Sequence, residues 1–280
     1  MNKIALVTDS TSDLKDDEIK RYNVHVLPLK ILYKDREYTD RVDITPEEVY
    51  SNMAVEVPTT SLPSLNDIDQ LFMKLKKEGY THIIAVTISS GLSGTYNSVK
   101  LVSKNYPEIK FEIFDSRALT LGAGAIILEC GEMLRLGKSF EEIVTQLPKF
   151  RDKISVYYVL DTLKYLMKGG RIGKVSGNIG KLLNVKPIIS INKEGVYYTY
   201  KKVRGRKRSI SKVFDIVKNT LEEKKGKVWV LHGGAQEEAQ ELYEKILQLP
   251  NLIKLEFGDI SPVAGVHTGP GLIGVTIMTD

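Results

Sequence analysis

At 280 residues, with 42% hydrophobic and 27% charged side chains, the chain has the composition of a globular protein of about two domains. This much apolar side chain excludes long disorder. Forty lysines and arginines against 35 aspartates and glutamates leave a net charge of +5, too small over the whole length to mark a nucleic-acid-binding protein. A single cysteine excludes an internal disulfide and any cysteine-based zinc or iron–sulfur centre. Cys130, inside the apolar stretch Ala125 to Leu134, is expected in the core. The start MNKIALVTDS lacks the apolar segment of a signal peptide, and no run approaches the ~20 apolar residues that span a bilayer. A cytoplasmic location is therefore expected.

Ile4 to Val7 is a short apolar run breaking into Thr-Asp-Ser-Thr-Ser-Asp, the pattern of a strand buried on both faces and followed by a polar turn. A helix capped by Thr11 or Ser12 is expected through Arg21, then an extended segment from Val24 to Leu32. Thr45-Pro46-Glu47-Glu48 joins a cap, a proline at the first helical position and two first-turn acids, so a helix starts there. Residues 57 to 63 read as a loop. Ser64 opens a helix to Glu78, ended by Gly79. Further strands are expected at His82 to Ile88 and Ile109 to Phe114, with helices over 95–105, 122–136 and 140–151. Strand, polar loop and helix alternate in order, which argues for a mainly parallel sheet.

The second half starts near Ile154 with a strand, then a short helix from Thr162 to Lys168. Asn192-Lys193-Glu194-Gly195 lies between two strand-like runs and reads as a hairpin turn. Helices over 209–224 and 236–248 flank a strand at Lys227 to Leu231, and strands at 252–257 and 272–279 close the chain. The expected fold class is α/β, with two α/β domains at 1–153 and 154–280. The first carries a mainly parallel sheet and the second a mixed one.

Four segments concentrate hydroxyls and glycines: Thr8 to Thr11, Thr59 to Ser64, Ser89 to Thr95, and Ala264 to Gly271. In parallel α/β sheets ligands bind outside the carboxyl ends of the strands, and hydroxyls with helix-start N–H groups can hold an anionic oxygen. Taken singly, each segment also serves as an ordinary loop or cap. A P-loop string is absent, and the first strand is followed by no glycine, so neither nucleotide fingerprint is present. Gly91-Leu92-Ser93-Gly94 misses the GxSxG nucleophile elbow by one residue. A serine esterase using Ser93 with His267 as base is the alternative reading. His25, His82, His232 and His267 have no metal-ligand spacing, and Asp9, Asp13 and Asp115 are more ordinarily caps than Mg²⁺ ligands. No metal site is expected. Two basic features remain. Arg171 sits in the glycine-rich KGGRIGK, and KKVRGRKR over 201–208 holds six positive charges in eight residues, fitting a solvated face or a docking face for an acidic or phosphate-bearing partner.

The ordered set VTDSTSDL, TTSLPS, ISSGLSGTYNS, FDSRALTLGAG, LKYLMKGGRI, KVRGRKR and HTGPGLIG, spanning Val7 to Gly274, resembles the DegV family. The resemblance implies two α/β domains with a long-chain fatty acid between them and no cofactor. It implies a binding protein, not an enzyme, like the fatty-acid-binding subunits of bacterial fatty acid kinase. In those, a separate kinase protein phosphorylates the bound carboxylate with ATP, and the acyl phosphate enters phospholipid synthesis. By the same resemblance Ser61, with its neighbour Thr60, and Ser93 hold the carboxylate, with His267 beside it. Arg171 and Arg204 correspond to residues of kinase docking or phosphoryl transfer, and Arg206 and Arg208 extend that patch. The acyl lining is expected from Ile126, Ile127 and Leu128 and from the segment Leu160 to Met167.

Overall fold

The computed structural model describes residues 2–175 and 185–280. Its first half runs β1 (Ile4–Asp9), a 3-10 turn (Ser10–Ser12), α1 (Asp16–Tyr22), β2 (Val24–Leu27), β3 (Lys30–Leu32), β4 (Glu37–Thr39), α2 (Pro46–Asn52) and β5 (Thr59–Ser61). It continues through α3 (Leu65–Lys77), β6 (His82–Thr87), α4 (Thr95–Ser103), β7 (Lys110–Asp115), α5 (Leu121–Arg135) and α6 (Phe140–Asp152). Then come β8 (Ile154–Val159), α7 (Lys164–Lys168), β9 (Ile188–Ile191), β10 (Tyr197–Lys201) and α8 (Arg206–Glu223). The chain ends with β11 (Gly226–Gly233), α9 (Gln236–Leu247), β12 (Leu252–Asp259), α10 (Pro262–Thr268) and β13 (Leu272–Thr279).

The protein is α/β. Strands β2-β1-β6-β7 form a wholly parallel sheet, and β10-β9-β8-β13-β11-β12 form a mixed one. In the mixed sheet only β11 and β12 run parallel; β9 and β10 make the antiparallel hairpin read around Asn192 to Gly195. Alternation along β1 explains why its run is continuously apolar. Ala5 and Val7 meet Ile68, Phe72 and Leu75 of α3 on one face, while Leu6 meets the α5 cluster on the other. No helix among the described residues is long and apolar enough to cross a membrane.

Helix α5 lies between the two sheets, against β1 and β6 on one side and β8 and β13 on the other. Ten of its fifteen residues are buried, as a helix apolar on every side must be. Its glycines permit that approach. A Cβ at Gly122 would come within 2.9 Å of Val156 Cγ1, and one at Gly124 would run into the Ser12 carbonyl oxygen. Cys130 is buried in the same core.

Three local expectations are corrected. The extended segment from Val24 to Leu32 is two strands in two sheets, because β3 leaves the parallel sheet to pair with β4 and β5. The 57–63 loop contains β5, which three hydroxyl residues could not announce without their long-range partner. The glycine-bearing tail contains α10. Its Ser261-Pro262 start is a cap followed by a first-turn proline, and burial of six of its seven residues holds it despite Gly265. Helix boundaries also shift: the first turn after β1 is 3-10, with α1 starting only at Asp16, α7 starts at Lys164 and α8 at Arg206.

The small antiparallel sheet β4-β3-β5 positions the site. Leu29, Ile31, Ile44 and Val49 form one cluster with Val263 and Val266 of α10. Two segments some 200 residues apart, β5 and α10, are thereby placed side by side.

Candidate functional site

A cavity of about 180 Å³ opens where the carboxyl ends of β1 and β6 face β5, α10 and the mixed sheet. Each of the four hydroxyl- and glycine-rich segments reaches it: Thr11 from the first, Thr60 and Ser61 from the second, Ser93 from the third, and His267 from the fourth. The turn after a parallel strand aims its side chains past the sheet edge, and the register Thr8↔Val86 brings two such turns together.

Asp9 fastens that edge. One carboxylate oxygen accepts from Ile88 N at 2.7 Å; the other accepts from Thr11 N at 3.1 Å and Thr11 Oγ1 at 2.5 Å. Burial pushes its pKa up, against the pull of these hydrogen bonds. Asp115 serves the next strand the same way, accepting from Ser90 N, Ser90 Oγ and Arg117 N.

Thr60 Oγ1 and His267 Nε2 are 2.8 Å apart. His267 Nδ1 is buried with no hydrogen-bond partner among the described residues, and Gly169 packs so closely on it that a Cβ there would collide with the ring. Burial, and then the Arg171 cation, push the His267 pKa down to about 4, so the ring is neutral at physiological pH. Ser61 Oγ donates to the Leu62 carbonyl at 3.2 Å. Ser93 Oγ lies 2.9 Å from Thr95 Oγ1 and accepts from Thr95 N at 3.3 Å. Ser93 therefore pairs with Thr95 and His267 with Thr60, an arrangement without the serine–histidine contact an esterase reading requires.

Arg171, expected at a partner contact, lies on the wall of this same cavity. Its Nη1 donates to Gly169 O at 2.7 Å and its Nε to Leu92 O at 3.4 Å. Among the described residues its side-chain partners are these neutral carbonyls. Arg204 is exposed on the flank of β10, outside the cavity lining. Arg206 is held by Glu238 in a bidentate pair, with contacts of 2.9, 2.9 and 2.7 Å.

The apolar lining comes from Leu29, Leu62, Ile88, Leu92, Leu119 and Val263. This corrects the expectation placed on α5 and on Leu160 to Met167. Ile126 and Ile127 are wholly buried core between the sheets, Leu166 is core beside them, and Met167 points outward at 64% exposure. Because α5 packs on both sheets, none of its residues lines this cavity. Leu29 lies in the apolar extended segment Val24 to Leu32 and Leu119 beside Ala118 and Leu121, where nothing local separates a cavity-lining leucine from a core one.

Residues 3–280 match the family model described as an uncharacterised protein of the DegV family. A DegV domain-containing protein of Clostridium acetobutylicum is 60% identical over 277 residues, covering 99% of each chain. Among solved structures, a fatty-acid-binding DegV family protein from Thermus thermophilus superposes with a TM-score of 0.93 at 31% identity, covering 99% of this chain and 100% of its own. A stearic acid-binding protein from Eubacterium ventriosum superposes at 0.87 with 29% identity, covering 100% of this chain and 98% of its own.

Proposed function

The chain belongs to the DegV family, and on that premise we propose that it binds a long-chain fatty acid at the interface of two domains divided near residue 153. The carboxylate sits among Thr60, Ser61, Ser93 and His267, and the tail runs between the leucines of the lining. The observation that carries this reading is the convergence of neutral donors from four distant segments, with the Arg171 cation beside them, on a cavity whose remaining lining is largely apolar. Hydrogen bonds to a charged acceptor contribute about 1.5–3 kcal/mol each. Burying ~14 methylenes contributes roughly 11 kcal/mol before costs, at ~0.8 kcal/mol each. The tail thus dominates affinity and the hydroxyls fix its register. Ligand pockets usually span about 300–1,000 Å³, so entry of a long tail requires the side chains lining this 180 Å³ cavity to move apart.

Neutral donors at the headgroup, with the Arg171 cation on the same wall, suit a protein that binds without turnover and presents the carboxylate to a partner kinase for acyl-phosphate formation. Arg171 at the mouth and Arg204 outside it fit contacts to that partner or to the transferred phosphoryl group.

The double variant Ser61→Ala, Ser93→Ala is expected to weaken binding of a fluorescent long-chain fatty acid by about tenfold or more. Unchanged affinity would remove both residues from the site. Arg204→Glu is expected to leave lipid binding intact and to lower acyl-phosphate formation with a fatty acid kinase. Normal phosphorylation of the loaded variant would refute the docking role.

A further inference from the structure

A second cleft lies on another face, between the end of β7, the end of α6 and the β9–β10 turn. Its volume is about 570 Å³, and its lining includes Arg117, Arg151, Asp152, Ile154, Ile191 and Lys193. A smaller cavity of about 160 Å³ shares Arg117, Arg151, Ile154 and Ile191 and adds the hydroxyls of Tyr157, Tyr198 and Ser190. None of these residues lines the fatty-acid cavity.

We propose that this cleft binds a small phosphate monoester, its phosphate among Arg117, Arg151 and Lys193 and its apolar body over Ile154 and Ile191 toward Tyr198. Charge supports a dianion. Three cations converge with one acid among the described lining residues, and a phosphate ester carries close to two negative charges at neutral pH. That acid is a weak competitor. Asp152 accepts from Arg151 Nε at 3.3 Å and Nη2 at 3.2 Å, but its own side chain is 72% exposed, and such pairs are readily exchanged for a better anion. Planar guanidinium groups match phosphate oxygens, as an ammonium alone does not.

The backbone is also arranged for it. Arg117 stands in the left-handed region at φ 49°, where a long side chain is uncommon, and the Asp115 carboxylate holds it there by accepting Arg117 N at 2.9 Å. Arg117 Nη1 then donates to the Lys193 carbonyl at 3.0 Å, joining the two walls of the cleft. Strain held in place by such contacts is typical of ligand clamps. The cleft also lies outside the carboxyl end of β7, where parallel sheets place ligands.

Calorimetric titration with phenyl phosphate and with inorganic phosphate tests this. Phenyl phosphate is expected to bind saturably at one site and more tightly than inorganic phosphate. Arg151→Ala and Lys193→Ala are each expected to lose about tenfold or more, with Arg151→Lys recovering part of the loss. Fluorescent fatty-acid binding should stay at the parent level and so report that the variants are folded; if Arg151→Ala fails that control, Lys193→Ala on the exposed turn decides. No saturable binding, equal binding by the alanine variants, equal affinity for the two probes, or displacement of phenyl phosphate by fatty acid would each overturn the proposal.

Discussion

His267 is neutral because of where it sits. The HTGPG string marked the residue, but its hydrogen-bond partner Thr60 is 207 positions away, and only the folded chain shows that the ring loses both solvent and charge. Its folded pKa of about 4 lies below the ordinary 6.5. The neutral ring therefore contributes stability that is full above pH 6.5 and is lost as pH falls toward 4. His267→Gln removes this acid-side loss. Urea unfolding is expected to show the variant gaining on the parent as pH drops through that window; parallel curves would show that the imidazole is not the titrating group. Ser93 and Ser61 were legible for a different reason, because hydroxyls clustered beside glycines in loops stand out in any sequence. Arg171 was legible as a residue, and its place on the cavity wall was not.

The short helix α10 has poor intrinsic helix formers and depends on its anchors. Asp13 accepts from Ser261 N at 2.8 Å and Asp40 from Val263 N at 2.9 Å. Burial raises these carboxyls to about 7 and about 6, although the Arg41 cation pulls both down. Raised values give the opposite sign from His267: the Asp13 contribution is present below its ordinary 3.8 and is lost as pH rises through about 7. Asp13→Asn keeps an acceptor for Ser261 and tolerates the left-handed backbone at φ 54°. It is expected to match the parent at acid pH and to exceed its stability above pH 7. Asp13→Ala should lose about 1–3 kcal/mol by orphaning a buried N–H. Equal destabilisation of the two variants in denaturant titrations would rule out the acceptor role. In α5, Gly124→Ala should cost about 1–3 kcal/mol by overpacking against Ser12 and Leu14; a neutral effect would mean the helix is free to shift.

Both sheets share one core through α5, so the two halves of the chain are not energetically separate. Leu6 and Val86 of the parallel sheet and Trp229 and Leu231 of the mixed one belong to a single buried cluster. Trp229 is the sole tryptophan, and its fluorescence reports the shared core from the β11 side, whereas far-ultraviolet circular dichroism reports the secondary structure of both halves. Coincident denaturation curves from the two probes are expected, and separated midpoints would show the halves unfolding independently. A long-chain fatty acid at about a hundred times its Kd should raise stability by about 2.7 kcal/mol, shifting both curves together.

Local signals alone determined the alternation of strand and helix, the parallel and mixed sheets, the caps at Thr45 and Ser64 and the polar turns after β1 and β6. Apolar periodicity and capping act between near neighbours and are written in order along the chain. The sheet that carries Thr60, the helix that carries His267, the apolar lining of the cavity and the electrostatic state of its histidine were decided by the tertiary structure. Each depends on burial against partners remote in sequence, and burial is a property of the packed chain, not of any segment of it.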